Sequence, residues 1–227
     1  MNIFVTDRNP VLAAKNLCDK HCVRMITESA QLMCTAHWVG WSRTLDPPPD
    51  LRGRRLKEWI SERLDDKTRP PYSMTHVNHP CAVWARHCWG NYVWLYNHAL
   101  GLCEEYTLRY GRVHKTEAVI RWAGRFMPPT FEGDVPINFT GTTPFAIAMP
   151  AEFRVEGDAV QSYRNYYNGS KSRFAKWKNG QPPSWWAPHT YQNGGENAAV
   201  SEGDAARARV REDSEIFPES DTRIDER

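Results

Sequence analysis

The sequence predicts a mainly α-helical protein, with a single compact domain over residues 1–188 and a disordered acidic tail over residues 189–227. Three observations support this fold class. Apolar side chains recur at spacings of three and four residues, which places them on one face of a helix. Asn-Pro and His-Pro pairs supply a capping residue followed by a proline suited to the first helical turn. Beyond residue 188 large apolar residues are scarce and charges are frequent, which is typical of disorder.

The N-terminal third of the chain predicts an extended segment followed by two helices. MNIFVTD is short and apolar, and we expect it to form a strand or an extended segment that lies against the core. Asn9 should cap a long helix that begins at Pro10 and ends near Trp38. The DPPPD run interrupts the chain. RRLKEWISERLDD then predicts a shorter amphipathic helix with an apolar residue at every fourth position.

The middle of the chain predicts a second long helix and a brief third one. Asn78 or His79 is the expected cap of the long helix, Pro80 its first residue and Gly111 its end. The brief helix is expected around residues 117–126.

A loop and a basic, aromatic helix complete the predicted domain. Residues 127–150 are rich in Pro, Gly and Thr, and the final helix is expected to begin near Asp158 and end at Gly180. Cations alternate with tyrosines and tryptophans along it, which suits a phosphate backbone and an unstacked base. A basic face that only contacts solvent is the alternative. The predicted DNA-binding residues are Arg164, Lys171, Arg173, Lys176 and Lys178.

The charge is unevenly distributed along the chain. The formal net charge is +2, but residues 189–227 hold five arginines and ten acidic residues. Residues 1–188 therefore carry 24 basic and 17 acidic residues, a net charge of +7. A basic domain of this kind fits a polyanion partner such as DNA. Excess Lys and Arg that only keep the domain in solution explain the charge equally well.

Composition also bears on the compartment. No apolar run approaches the length of about 18 residues that predicts a membrane span. The N-terminus lacks a basic segment followed by an apolar one, so no secretion signal is predicted. We therefore expect the protein to be cytoplasmic, in the host cell if it is viral. We also expect it to be a monomer. Its six cysteines are expected to be free thiols.

The strongest candidate for chemistry is a histidine and a glutamate on one helical stripe. His21 and Glu28 are seven residues apart, about 700° of helical rotation, so their side chains lie within ~20° of each other. Neighbouring positions on the stripe are apolar, and a carboxylate there is unfavourable unless it is hydrogen-bonded or paired. One interpretation is a general base or acid at the floor of a cleft, with Arg24 near its mouth. The other is an internal His–Glu pair that fixes packing.

Two other groups of polar residues are candidates for binding sites. His76 and His79 lie where a helix begins, and exposed N–H groups there favour anions, although simple capping explains them equally well. Cys18, His21 and Cys22 are close in sequence but do not match the spacing of a zinc site. Buried thiols are the better interpretation, and no metal and no other cofactor is expected.

Three segments together resemble a known DNA repair enzyme. The motif LCDKH, six further residues and a glutamate resemble the first helix of the phage pyrimidine-dimer DNA glycosylase/AP lyase, endonuclease V. HPCAVW and the ending SRFAKW…PPSW resemble its second helix and its C-terminus. The resemblance implies the compact helical fold of that enzyme. It makes Glu28 the catalytic glutamate and His21 the histidine beside the DNA, with Arg173 and Lys176 as basic residues of the final helix.

The sequence differs from that of endonuclease V at the N-terminus. Endonuclease V attacks the sugar with an α-amine that is exposed when the initiator methionine is removed before a small residue. Asn2 is large for such removal, so the amine is expected one residue further out, on Met1. An imine-forming lyase reaction is therefore not the first expectation.

The chain also resembles a family of tailed-phage proteins through CDKH, HVNHP and RFAKW, and this suggests thymidine hypermodification. In that pathway an amino acid such as glycine is transferred onto 5-phosphomethyl-deoxyuridine in double-stranded DNA, with loss of phosphate. The resemblance implies Glu28 as the base that deprotonates the α-ammonium of a free amino acid. His21, His76 or His79, with Arg24 or Arg173, would hold the phosphate. The alternatives are the glycosylase/lyase and a non-catalytic phage DNA-binding protein.

Overall fold

The computed structural model describes residues 1–133, 135 and 141–188, and this part of the chain is mainly helical, as predicted. All of these residues belong to one compact unit. The predicted tail over residues 189–227 lies outside the described residues. The helices are α1 (Pro10–Lys15), α2 (Asp19–Leu45), α3 (Gly53–Ser61), α4 (Pro80–His87), α5 (Trp89–Tyr110), α6 (Glu117–Arg125) and α7 (Ala159–Tyr166). A 3₁₀ turn (Ala151–Phe153) precedes α7 and a π-helical turn (Tyr167–Lys171) follows it.

The core is built around α2 and α5. These two helices pack against each other, and α1, α4 and α6 pack around them. Gly101 allows α1 to approach α5 closely, because a Cβ atom there would lie 3.0 Å from Cβ of Ala14. The segment Ile3–Thr6 is buried against the core, as predicted. It is neither a strand nor extended throughout, because Phe4 has φ of +39° and the N–H of Thr6 donates to the carbonyl of Phe4 at 2.8 Å. A second small core, formed by Trp38, Ile60 and Leu64, attaches α3 to the distal half of α2.

Several predicted helix ends are confirmed by their capping contacts. The Asn9 side chain accepts hydrogen bonds from the main-chain N–H groups of the first turn of α1. His79 caps α4 with Nδ1, which accepts from the N–H of Cys81. Gly111 ends α5 in the left-handed conformation, with φ of +67°. Asp158 caps α7. These ends were predictable because each cap is local in sequence.

The predicted first long helix is wrong in two respects, since it is interrupted between Lys15 and Asp19 and its second part ends at Leu45 rather than near Trp38. The interruption leaves main-chain carbonyls without helical partners, and distant side chains bind them. Arg109 donates to the carbonyls of Lys15 at 3.1 Å and of Leu17 at 2.8 Å, and the indole of Trp177 donates to that of Asn16. The break therefore depends on long-range contacts.

The predicted second long helix is also interrupted, at Cys88, whose φ and ψ of −148° and 165° are extended. The carbonyl of Trp84 loses its helical donor and accepts instead from the Asn91 side chain at 2.8 Å. The carbonyls of Arg86 and His87 accept from the N–H groups of residues 132 and 133. A short strap from the loop thus replaces the missing helical hydrogen bonds.

The predicted final helix does not reach Gly180. It ends at Tyr166, and the π-helical turn and irregular chain follow. The main chain at 176–178 instead crosses the start of α2: the N–H of Asp19 donates to the carbonyl of Lys176, and the Asp19 carboxylate accepts from the N–H of Lys178 at 2.6 Å. Arg173, Lys176 and Lys178 therefore do not share a helical face.

Candidate functional site

The candidate site lies on the one open face of α2. From residue 20 to residue 38 most of this helix is buried, and the accessible positions are Lys20, Val23, Arg24, Thr27, Glu28 and Gln31. These six residues are called the open face of α2 below. They recur at three- and four-residue spacing, so they form one stripe along the helix. Glu28 and Arg24, both predicted site residues, belong to it.

Glu28 lies on the open face but is largely covered by its binding partners. Its side chain is 12% exposed, so the carboxylate is not sealed in the core. Oε1 accepts from Nε of Arg24 at 2.9 Å, and Oε2 accepts from the main-chain N–H of Asn2 at 3.1 Å. The amino group of Met1 lies 3.9 Å from Oε2. The carboxylate is therefore held between a guanidinium and an ammonium group.

The N-terminal segment is fixed in this position by its own side chains. Asn2 donates from Nδ2 to the carbonyl of Ala148 at 2.7 Å and accepts from the N–H groups of Ile3 and Phe4. The Met1 side chain is only 3% exposed, whereas the residue as a whole is partly exposed. The exposed part of Met1 is thus its main chain, which carries the amino group.

Backbone strain occurs next to this segment. Phe4 has φ of +39° and His76 has φ of +49°, values that residues with a Cβ rarely adopt. Both residues adjoin groups that surround Glu28: Phe4 follows the tethered N-terminus, and the carbonyl of His76 accepts from the N–H of His79. Strained residues of this kind persist only where surrounding contacts hold them, and they are frequent at functional sites.

The two histidines predicted to bind phosphate lie at the start of α4. Nδ1 of His79 accepts a main-chain N–H, so the ring proton of the neutral form is on Nε2. Burial lowers the pKa of His79, the Met1 amine and His76 lower it further, and Glu28 opposes them. His79 is therefore a neutral N–H donor within electrostatic reach of Glu28. His76 is exposed, and its Nδ1 is 2.6 Å from the hydroxyl of Thr75.

His21 is buried beside the open face and has its own partner. Its Nδ1 lies 2.6 Å from the hydroxyl of Tyr167, and its ring stacks on Phe4 with centroids 4.2 Å apart. Burial, and then the positive charges of Lys171, Lys20 and Arg24, lower its pKa to about 3. The imidazole is thus neutral near pH 7. His21 and Glu28 bond to different groups, so the internal His–Glu pair considered from sequence is not formed.

The predicted DNA-binding residues are separated by the structure. Arg164 is partly buried, donates to the carbonyl of Thr6 at 3.0 Å and lies 3.7 Å from the Asp7 carboxylate, so it fixes the N-terminal segment. Lys171 lies over the ring of Tyr166. Arg173, Lys176 and Lys178 are exposed. Of the five, Lys171 has the clearest electrostatic connection to the open face, through its effect on His21.

Sequence reasoning missed two contributors to the site. Lys20 is four residues before Arg24 and eight before Glu28, so the helical spacing that singled out His21 also contained the signal for Lys20. The contact between the Met1 amine and Glu28 had no local signal, because Asn2 is fixed by a carbonyl 146 residues away.

The cysteines are buried and free, as predicted. Burial raises the pKa of Cys22, Cys34 and Cys103 to about 12 and that of Cys81 to about 11, so these groups are protonated thiols near neutral pH. Among the described residues, no three His, Cys, Asp or Glu side chains are grouped in a way that could hold a metal ion.

None of the helices within the described ranges is both long and apolar enough to cross a membrane. Comparison of the chain with protein-family models, with curated proteins and with solved structures finds no match. The resemblance to endonuclease V therefore stays a prediction that rests on the motifs.

Proposed function

We propose that this chain is a DNA base-modifying enzyme that acts on a pyrimidine flipped out of double-stranded DNA. Its reaction is the transfer of an amino acid, such as glycine, onto 5-phosphomethyl-deoxyuridine with loss of phosphate. The observation that carries the proposal is the position of Glu28, whose partly exposed carboxylate lies 3.9 Å from an amino group. A carboxylate that accommodates an ammonium group is the base that such a transfer needs.

The open face of α2 supplies the base for the transfer. Glu28 removes a proton from the α-ammonium of the incoming amino acid, which frees a lone pair on nitrogen. The C–N bond then forms at the 5-methylene carbon as the C–O bond breaks, and phosphate leaves with the bonding electrons. A second proton passes from the new secondary ammonium to solvent. Flipping the nucleotide is required, because a carboxylate largely covered by its partners cannot reach the methylene while the base is stacked.

Binding of the leaving phosphate is assigned to Arg24 and His79. The Arg24 side chain is 61% exposed, and only its Nε is bound to Glu28, so its terminal nitrogens can bind an anion. His79 is neutral and supplies an N–H donor from Nε2. Such preorganised donors stabilise the charge that develops on the departing oxygen.

A second candidate function, the glycosylase/lyase, is favoured by the same contact. If the Met1 amine itself attacks C1′ of the sugar, a C–N bond forms as the glycosidic bond breaks, and Glu28 assists the proton transfers. The placement of the amine beside Glu28 supports this reaction more than the sequence did. The two functions differ in which amine reacts, that of Met1 or that of a free amino acid.

The proposal is tested with the full chain and a duplex that contains one 5-phosphomethyl-uracil. We expect phosphate release and exchange of the phosphate for the amino acid in the DNA strand, which with glycine lowers the mass of the strand because glycine is lighter than the phosphate it displaces. Both changes should require the added amino acid. Glu28→Gln should lower the rate by about 10²- to 10⁴-fold, the usual contribution of a positioned base, and should leave DNA affinity intact. Glu104→Gln, an exposed glutamate on α5, is the matched control.

The alternatives give different results in the same assay. Borohydride trapping of the chain on abasic or dimer-containing DNA would establish the lyase and refute the transferase if no amino acid is incorporated. Tight DNA binding with neither reaction would indicate the non-catalytic DNA-binding protein. Loss of DNA affinity in Glu28→Gln would show that this residue has a structural role.

A further inference from the structure

Two partly exposed rings, Tyr166 and Phe174, lie beside the open face of α2 and rest on buried rings. Phe4 is nearly parallel to Tyr166, with centroids 6.2 Å apart and planes 15° apart. His21 meets Phe174 edge-on at 5.4 Å. Phe4 and His21 are stacked on each other and buried, so they support the two outer rings rigidly. Tyr166 and Phe174 are called the stacking platform below.

Two lysines cover this platform. Nζ of Lys20 lies 4.7 Å from the ring centroid of Phe174. Nζ of Lys171 lies 4.4 Å from that of Tyr166 and 6.0 Å from that of Phe174. Neither ammonium group is paired with an acidic side chain of the described ranges. Both are therefore held in the free protein by cation–π contacts, which are weak at exposed sites.

The two lysines over the stacking platform come from distant parts of the chain. Lys20 belongs to α2 and Lys171 to the π-helical turn, 151 positions later in the sequence. The effect of both lysines on buried His21 agrees with this convergence, because their charges oppose a proton on its ring. Uncompensated charges gathered over partly exposed aromatic rings match a ligand that carries both an anion and a flat ring.

From this arrangement we infer that the stacking platform binds the nucleotide next to the flipped one. Its base stacks on Phe174 and Tyr166, and the lysines Lys20 and Lys171 move from the rings to the phosphates on either side. The inference rests on the proposed function for the choice of DNA as the ligand. It replaces the predicted line of cations along a final helix with a compact site made from α2 and the π-helical turn.

The phosphate contacts are tested by the salt dependence of binding. Affinity of the full chain for the 5-phosphomethyl-uracil duplex is measured by fluorescence anisotropy over a range of salt concentrations. Lys20→Gln and Lys171→Gln should each reduce the slope of log affinity against log salt by about 0.9, and Lys20→Arg should retain it. Lys67→Gln, an exposed lysine on another part of the surface, is the charge-matched control. Slopes that equal that of the control would overturn the inference.

The stacking contact is tested with variants that keep or remove the ring. Phe174→Leu should weaken binding by about 5- to 150-fold, the range for loss of one base–aromatic stack, whereas Phe174→Tyr should retain it. Equal affinities for the two variants would refute the stacking role. A melting temperature for each variant shows whether it is folded, and the lysine variants provide an independent test because they change only surface side chains.

These readouts separate the inference from the proposed function. Binding measurements do not require turnover, so salt slopes that change as expected without any product would support the platform and refute the transferase. Product formation with salt slopes equal to that of the control would support the transferase and refute the stacking platform.

Discussion

Acidification between pH 7 and pH 5 is expected to destabilise the fold through three buried histidines. His21, His37 and His98 each have a pKa lowered from 6.5 to about 3, chiefly by burial. His98 is the clearest case, because it is fully buried and neither ring nitrogen has a hydrogen-bond partner among the described residues. Burial therefore makes a proton on any of these rings unfavourable in the folded protein.

Proton linkage gives the direction and the size of the change in folding stability. Below pH 6.5 the unfolded chain binds a proton at each histidine and the folded chain does not. The free energy of unfolding is therefore highest above pH 6.5 and decreases as the pH falls below that value. The loss is about 1.4 kcal/mol per pH unit for each group, so at pH 5 it is about 2 kcal/mol per histidine and on the order of 6 kcal/mol for three. Domains are commonly stable by only about 5–15 kcal/mol.

Thermal unfolding followed by circular dichroism measures this effect. At about 2–4 °C per kcal/mol for a domain of this size, the melting temperature should fall by roughly 12–24 °C between pH 7 and pH 5. His98→Leu should remove about one third of that fall, because it deletes one of three equal contributions. A melting temperature that is constant over this range, or a His98→Leu profile identical to the parent, would refute the reasoning.

Three further predictions concern named contacts. Replacing Arg109 by Met should destabilise the fold by about 3–5 kcal/mol in urea unfolding, because the carboxylates of Asp19 and Glu105 lose their buried partner; an unchanged midpoint would contradict the buried network. Asn91→Ala should cost about 1–3 kcal/mol in the same assay, since it leaves the Trp84 carbonyl without its donor; a loss below 0.5 kcal/mol, as is usual for surface changes, would argue against it. Glu28→Gln should lower the turnover rate by about 10²- to 10⁴-fold while its urea midpoint remains close to that of Glu104→Gln; a large loss of stability would assign Glu28 to the fold.

The sequence predicted the parts of the fold that are local. Asn9, His79, Gly111 and Asp158 cap helices at the expected positions, because a cap binds main-chain groups within a few residues. The helix breaks were not predictable in this way. Those at residues 16–18 and at Cys88 exist because side chains and main-chain groups from distant segments satisfy the freed carbonyls.

The candidate site shows the same division. Helical spacing was enough to place Glu28 and Arg24 on one face, because both belong to a single helix. It also placed His21 on that stripe, but spacing cannot tell that Phe4 covers the ring and that Tyr167 binds it. The position of Lys171 beside the site follows from a π-helical turn, which no local pattern predicted.

The tethered N-terminus also constrains when the site comes into being during synthesis. Asn2 is held by Ala148 and His21 by Tyr167, each pair 146 residues apart, and Thr6 is bound by Arg164, 158 residues away. Closing loops of this length is slow, because chain entropy is lost before the contacts form. A nascent chain therefore carries Glu28 from an early stage, but the surroundings that define its chemistry form only after residue 167 has left the ribosome.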